Sequence, residues 1–183
     1  PGAMVMSIKT LLDPHNGKIL GAQLVGYDGV DKRCDVFATA IRAKMPASDP
    51  AELELCYAPP SSSAKHPVNL AGSTTDNILD GLVKVFHWHD VNDLPKDGSV
   101  TLLDVRTGDE CGDSKIPDFC NIPLDELRGR LDELDRSKPV YVTCEVGLRG
   151  YVAARILSQN GFEAYNLSGG NRLYQSIMRA RQH

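Results

Sequence analysis

One cysteine of this chain, Cys144, stands where a strand pattern gives way to a helix pattern. The apolar run Val140-Tyr-Val-Thr ends at this cysteine, a short turn containing Gly147 follows, and a helical pattern is established by Tyr151. The N-terminus of a helix carries partial positive charge and free backbone N–H groups, so it favours an anion. The thiolate is the nucleophilic form of cysteine. The position therefore predicts a nucleophilic thiol at Cys144.

The turn after this cysteine has the spacing Cys-x-x-x-x-Arg and ends at Arg149. Gly147 can adopt a positive φ angle, and successive N–H groups of such a turn can point inward as an anion-binding nest. A cysteine phosphatase needs one more residue between cysteine and arginine to make room for a phosphate, but the residue at that later position is Gly150. The tighter loop favours a single sulfur atom carried on Cys144 as a persulfide.

The composition excludes several classes of function. The chain has 183 residues, of which 42% are hydrophobic, and this composition is ordinary for a globular protein. Its net charge of −4 does not indicate a surface that binds nucleic acid. No apolar run is long enough to span a membrane, and the first residues lack the basic start and apolar stretch of a secretory signal. Five widely spaced cysteines without a Cys-x-x-Cys pair predict neither a disulfide framework nor a zinc site, and we expect a reducing, cytoplasmic setting.

The elements that must position Cys144 alternate between strand and helix patterns. Strands are predicted at 100–105, 139–143 and 164–167, and helices at 125–134, 151–160 and from 171 to about 180. Strands separated by helices imply βαβ units and a mainly parallel sheet flanked by helices, so the fold class of this half is α/β.

The first half has a different organisation. Strands at 6–12 and 18–26 are joined by a segment ending in Asn16-Gly17, a strong hairpin signal. Helices are predicted at 30–44, 51–55 and 78–86, with Cys34 on the apolar face of the first of these. We place the domain boundary near residues 84–88 and divide the chain into domains 1–84 and 85–183.

The second half resembles a rhodanese-like domain over nearly all of residues 88–183. The motifs that carry the resemblance are Asp104-Val-Arg106, Asn121-Ile-Pro-Leu-Asp-Glu-Leu127, the Cys144 loop and Asn166-Leu-Ser-Gly-Gly170. The resemblance implies sulfurtransfer, in which Cys144 takes sulfane sulfur from a donor and passes it to a thiophilic acceptor. It also implies that Arg149 closes the loop and that Asp104 and Arg106 are structural residues near the site. The loop that would bind the substrate comprises Glu145, Val146, Gly147, Leu148 and Gly150.

Two features qualify the chemistry of this loop. The carboxylate of Glu145 would discourage anionic donors and acceptors, so thiosulfate and cyanide are poor physiological candidates unless Glu145 points to solvent. Cys111 and Cys120 stand where the family has apolar or small residues. Either could resolve a Cys144 persulfide as a disulfide, although buried cysteines are more often inert packing.

His87 and His89 flank Trp88 without an obvious third ligand, so no metal site is predicted.

The first half resembles the C-terminal dimerisation domain of flavin- and nicotinamide-dependent disulfide reductases. The motifs are Met6-Ser-Ile-Lys, Gly17-Lys-Ile-Leu-Gly-Ala-Gln-Leu-Val-Gly and Leu53-Glu-Leu-Cys-Tyr-Ala-Pro-Pro60. They are most similar to coenzyme A-disulfide or persulfide reductases with a fused rhodanese domain. The resemblance implies a homodimer or association with a flavoprotein reductase, and it makes Tyr57 a candidate for the flavin site of the partner subunit.

The nucleotide cofactors of such a reductase have no binding motif in this sequence. No Gly-x-Gly-x-x-Gly is present, so we expect neither FAD nor NAD(P)H to be bound by this chain alone. We expect an incomplete α+β dimerisation domain, N-terminally truncated, with an exposed sheet edge and apolar surface. The leading hypothesis is a sulfurtransferase domain of a larger reductase that acts on a small thiol or persulfide, such as one derived from coenzyme A. The alternative is a non-catalytic dimerisation or interaction module with an inactive rhodanese-like fold.

Overall fold

A tight turn folds the start of the chain into an antiparallel hairpin. Strand β1 (Met6–Leu12) pairs with β2 (Ile19–Gly26), and the turn between them is fixed by the carboxylate of Asp13, which accepts hydrogen bonds from His15 N and Asn16 Nδ2. The hairpin predicted from Asn16-Gly17 is confirmed.

The structure is a computed structural model that describes residues 4–56 and 65–182. The chain forms two units, Pro1–Gly81 and Leu82–His183. The assignment of domains to 1–84 and 85–183 stays a prediction. Within the described ranges, no helix is long and apolar enough to cross a membrane.

The first unit packs three helices with the hairpin. They are α1 (Val30–Arg42), α2 (Asp49–Glu52) and α3 (Pro67–Leu79). Its small core contains Ile19, Ala40 and Ala47, near the C-terminal end of α1. Cys34 lies more than one turn before this core and is exposed, so its predicted packing role is wrong.

The hairpin presents apolar side chains to solvent. Leu11, Leu20 and Val25 are all exposed although they lie on β1 and β2. In the described part of the chain, β1 and β2 form a sheet of two strands. The expected apolar surface is therefore present.

The second unit is built on a parallel sheet. The strands are β3 (Lys84–Phe86), β4 (Thr101–Asp104), β5 (Cys120–Asn121), β6 (Val140–Thr143) and β7 (Ala164–Leu167), in the order β3-β7-β6-β4-β5. The helices are α4 (Gly108–Asp113), α5 (Leu124–Leu127), α6 (Leu148–Gln159) and α7 (Gly170–Ala180). The predicted α/β fold with a parallel sheet flanked by helices is confirmed. Because parallel strands end at one edge of a sheet, the residues that follow β4, β6 and β7 lie near one another.

Several predicted elements differ from the structure. The helix predicted at 51–55 is α2, Asp49–Glu52. The helix predicted at 78–86 ends at Leu79, because Lys84–Phe86 pairs with β7 and buries Phe86 in the core of the second unit. The helix predicted at 125–134 is the short α5 followed by a single 3₁₀ turn at Leu131–Glu133. Helix α6 begins at Leu148 rather than Tyr151, because the carbonyl of Gly147 already accepts the N–H of Tyr151.

Candidate active site

Cys144 is buried directly after β6, in the loop that leads into α6. The side chain is 1% exposed, and its Sγ accepts a hydrogen bond from the N–H of Gly147 at 3.1 Å. Gly147 has a φ of 108°, in the region that favours glycine, which lets the chain turn back over the sulfur before the helix begins. The sulfur thus faces a backbone donor at the start of α6, as predicted from the sequence.

The N-terminus of α7 holds the other side of the loop. The N–H of Asn171 donates to the carbonyl of Cys144 at 2.8 Å, and the N–H of Arg172 donates to the carbonyl of Glu145 at 3.0 Å. Gly170 makes this approach possible, because a Cβ on it would lie 2.6 Å from the carbonyl oxygen of Cys144. Sequence reasoning used the Gly169-Gly170 pair only as a family motif, and it missed that these residues support the loop from a second helix.

Asn166 on β7 also holds the loop by a hydrogen bond, a contact that the sequence did not predict. Its Nδ2 donates to the carbonyl of Gly147 at 3.1 Å, whereas its Oδ1 is buried without a hydrogen-bond partner. A Cβ on Gly150 would overlap Asn166 Oδ1 and would lie 3.6 Å from Cys144 Sγ. The glycine on α6 therefore lets the helix approach both the amide and the sulfur.

Arg149, in the first turn of α6, forms an ion pair with Glu110. Two hydrogen bonds of 2.7 Å join the guanidinium to both carboxylate oxygens. Glu110 also accepts the N–H of Thr107 in a capping box at the start of α4. These hydrogen bonds, first that of Arg149 and then that of Thr107, lower the pKa of Glu110 to about 2. The pair ties the start of α6 to the start of α4, and Glu110 is a partner that sequence reasoning did not identify.

Asp104, the last residue of β4, and Arg106 form a fully buried ion pair. Arg106 Nη2 donates to Asp104 Oδ2 at 2.7 Å and to the carbonyl of Ser114 at 2.7 Å. Asn171 Nδ2 donates to the same Ser114 carbonyl at 3.1 Å. The pair therefore links the end of β4, the end of α4 and the start of α7, and these contacts are consistent with a structural role.

Glu145 lies between two arginines. Its Oε1 accepts from Arg172 Nε at 3.0 Å, and its Oε2 is 3.6 Å from Arg106 Nη1. The carboxylate therefore does not simply point to solvent, and its charge is balanced nearby. The predicted repulsion of anionic substrates is correspondingly weakened.

The rim of the loop is apolar. Val146, in the loop after Cys144, is 51% exposed, and Leu148, the first residue of α6, is 70% exposed. Val152 follows one turn later on α6, and Leu173 lies in the first turn of α7 beside Gly169. Exposed apolar side chains next to a buried thiol can contact the organic part of a substrate.

The remaining candidates are two cysteines, two histidines and Tyr57. Cys111 is buried, and burial raises the pKa of its thiol. Cys120 donates its S–H to the carbonyl of Leu102 at 3.1 Å. The rings of His87 and His89 stack 5.5 Å apart, and in residues 4–56 and 65–182 no group of three His, Cys, Asp or Glu residues could hold a metal ion. Tyr57 lies outside the described residues.

Comparison with known proteins assigns both halves of the chain. Residues 87–176 match the rhodanese-like domain, and residues 2–68 match the dimerisation domain of the pyridine nucleotide-disulphide oxidoreductases. The chain joins a rhodanese-like domain to a reductase dimerisation domain. This combination was predicted from the motifs and is confirmed.

Two solved structures resemble the joined domains. Reduced CoADR-RHD from Bacillus anthracis is 47% identical with a TM-score of 0.94, and the match covers 99% of this chain and 32% of that one. An NAD-dependent persulfide reductase from A. fulgidus is 37% identical with a TM-score of 0.77, over 90% of this chain and 29% of that one.

A curated relative matches a shorter part of the chain. Coenzyme A disulfide reductase from Staphylococcus aureus (strain bovine RF122 / ET3-1) is 38% identical over 72 residues, which are 39% of this chain and 16% of the relative. This chain therefore spans less than a third of each of these three proteins.

Proposed function

We propose that the rhodanese-like domain is a sulfurtransferase that carries sulfane sulfur on Cys144. The observation that carries this proposal is the buried Sγ, which accepts the Gly147 N–H inside a loop supported by α6 and α7. A preorganised N–H donor favours the negative charge of a thiolate or persulfide without reorganisation during reaction. The short spacing to Arg149 leaves room for one sulfur atom.

A persulfide donor can transfer its outer sulfur to Cys144 in a single substitution step. The Cys144 thiolate attacks the outer sulfur of a donor R–S–SH, a new S–S bond forms on Cys144, and the S–S bond of the donor breaks. The donor leaves as R–S⁻ and takes a proton from solvent, so no external oxidant or reductant is needed. A thiophilic acceptor then attacks the outer sulfur, and Cys144 returns to its thiolate.

The surroundings of the loop support an organic donor. Val146 and Leu148 can contact an apolar arm of the donor, whereas the charges of Glu145 and Arg149 are each balanced by a partner. We therefore favour a small thiol-borne persulfide, such as one derived from coenzyme A. Thiosulfate remains a useful test donor because Glu145 is paired with arginines.

The larger function that we propose is a coenzyme A-disulfide or persulfide reductase, in which Cys144 delivers sulfur to a flavin site. Relatives with these names support this proposal. FAD and NAD(P)H would supply the redox chemistry, but this chain contains no Gly-x-Gly-x-x-Gly turn to hold their phosphates. The dimerisation domain and its exposed Leu11, Leu20 and Val25 support association as a homodimer or with a flavoprotein.

The experiment is peptide-resolved mass spectrometry after incubation of the full chain with thiosulfate or a glutathione persulfide. We expect the peptide containing Cys144 to gain the mass of one sulfur atom and to lose it to cyanide as thiocyanate. Cys144→Ser removes the adduct, whereas the matched control Cys120→Ser retains it.

The same measurement separates the alternatives. A chain that gains sulfur with neither donor would favour the non-catalytic interaction module and would refute sulfurtransfer. Turnover of an aryl phosphate that depends on Cys144 would favour a phosphatase instead.

A further inference from the structure

We propose that Asn166 is a positioning residue for sulfur transfer: its amide fixes Gly147, and Gly147 then directs its N–H at Cys144 Sγ. The inference rests on the sulfurtransferase function proposed above. Asn166 forms no hydrogen bond with the sulfur, because its Nδ2 donates to Gly147 and its Oδ1 has no partner, so its effect would act through the loop.

Gly147 is held at both of its polar groups. Its N–H donates to Cys144 Sγ at 3.1 Å, and its carbonyl accepts from Asn166 Nδ2 at 3.1 Å and from the N–H of Tyr151 at 2.8 Å. A glycine with a φ of 108° has few intrinsic restraints, so these hydrogen bonds determine where its N–H points. Only the bond from Asn166 comes from outside the loop and its helix.

The other half of the Asn166 amide indicates that this residue is not present for packing alone. Its Oδ1 is buried without a hydrogen-bond partner, which is unfavourable because the oxygen has lost its water. Leucine has a similar shape and would avoid that loss, and Val142, the residue in register with Asn166 on β6, is apolar and fully buried. An asparagine here is therefore explained by the donor that it provides to Gly147.

Gly150 completes the argument from the side of α6. A Cβ at this position would overlap Asn166 Oδ1 and lie 3.6 Å from Cys144 Sγ. The helix can approach the sulfur only if Asn166 and residue 150 are compatible in size. Asn166 and Gly150 should therefore be energetically coupled.

The test compares Asn166→Leu with wild type in the full chain, using thiosulfate as donor and cyanide as acceptor. We expect kcat to fall about tenfold, with KM almost unchanged, because the weakened Gly147 donor acts on charge that develops on sulfur. Exchange of the Gly147 amide proton should become faster. The urea midpoint of Trp88 fluorescence should be equal to that of wild type or higher, because the unpaired Oδ1 is removed.

A second pair of variants guards against misfolding of the leucine variant. Gly150→Ala should reduce kcat, and adding Asn166→Ala should restore part of the unfolding midpoint by removing the overlap. Gly129→Ala is the matched control, because a Cβ there meets only an ordinary contact at 3.6 Å. Asn160→Ala serves as the asparagine control, since that side chain bonds the carbonyl of Ile156 on the far end of α6.

The outcomes are distinguishable. An unchanged kcat and unchanged Gly147 exchange in Asn166→Leu would overturn the positioning role, and so would a fall in kcat that simply follows a fall in the unfolding midpoint. If wild type transfers no sulfur, the proposed function fails, whereas the exchange rate of the Gly147 amide still decides whether Asn166 holds the loop.

Discussion

Replacing Asp104 by asparagine should strongly destabilise the rhodanese-like domain. Asp104 and Arg106 are 0% and 1% exposed, and the carboxylate accepts four hydrogen bonds from the backbone and guanidinium of Arg106, between 2.7 and 3.1 Å long. The asparagine would remove the nearer counter-charge of the buried guanidinium, leaving the Glu145 carboxylate at 3.6 Å, and would turn an NH₂ group toward other donors. Breaking one side of a buried ion pair costs about 3–5 kcal/mol.

The fluorescence of Trp88 reports the unfolding of the second unit, which contains Asp104. Trp88 is the one tryptophan of the chain, and it packs against the core of the second unit. With a urea m value of about 2 kcal/mol/M, a loss of about 4 kcal/mol lowers the fluorescence midpoint by about 2 M. Asp104→Leu combined with Arg106→Met should recover part of this loss, because it removes both charges together.

An exposed pair provides the control. Lys84 and Glu163 lie 2.6 Å apart, but both side chains are about half exposed. Glu163→Gln should therefore shift the midpoint far less than Asp104→Asn, because solvent screens the pair. Equal shifts for the two variants would refute the reasoning that burial determines the effect.

Three further predictions concern the loop and the first unit. Glu110→Gln should lower the free energy of unfolding by about 1 kcal/mol at pH 7. The effect is small because the ion pair with Arg149 is about one third exposed and is screened by solvent. Because the pKa of Glu110 falls from 4.5 to about 2 on folding, its contribution is complete above pH 5 and is lost as the pH falls toward 2, so urea midpoints of wild type and variant should converge there. Gly170→Ala should lower the free energy of unfolding by about 2 kcal/mol and reduce sulfur loading of Cys144, because the new Cβ would push on the Cys144 carbonyl. Sulfur loading equal to that of wild type in mass spectrometry would contradict this prediction. Asn69→Ala should speed hydrogen exchange over residues 49–56, because it removes two 2.9 Å hydrogen bonds to carbonyls there, and unchanged exchange would count against that role.

The local pattern of the chain predicts most elements but not their ends. Hairpin β1–β2 follows from Asn16-Gly17, and β7 lies where the apolar run predicts it. The helix predicted at 78–86 is wrong because pairing of Lys84–Phe86 with β7 is a long-range event. A local pattern contains no information about a strand partner some 80 residues away.

What the sequence determined by itself is the position of Cys144 between a strand and a helix, and the short spacing to Arg149. Both are local, because a strand, a turn and a helix start need only neighbouring residues. Only the tertiary structure decided which groups hold the loop and the start of α6. They are the Asn166 amide on β7, the N–H groups of the two residues that follow Gly170 in α7, and the Glu110 carboxylate on α4. These groups are distant in sequence and meet because parallel strands end at one edge of the sheet, where each strand delivers its following residues to the same site.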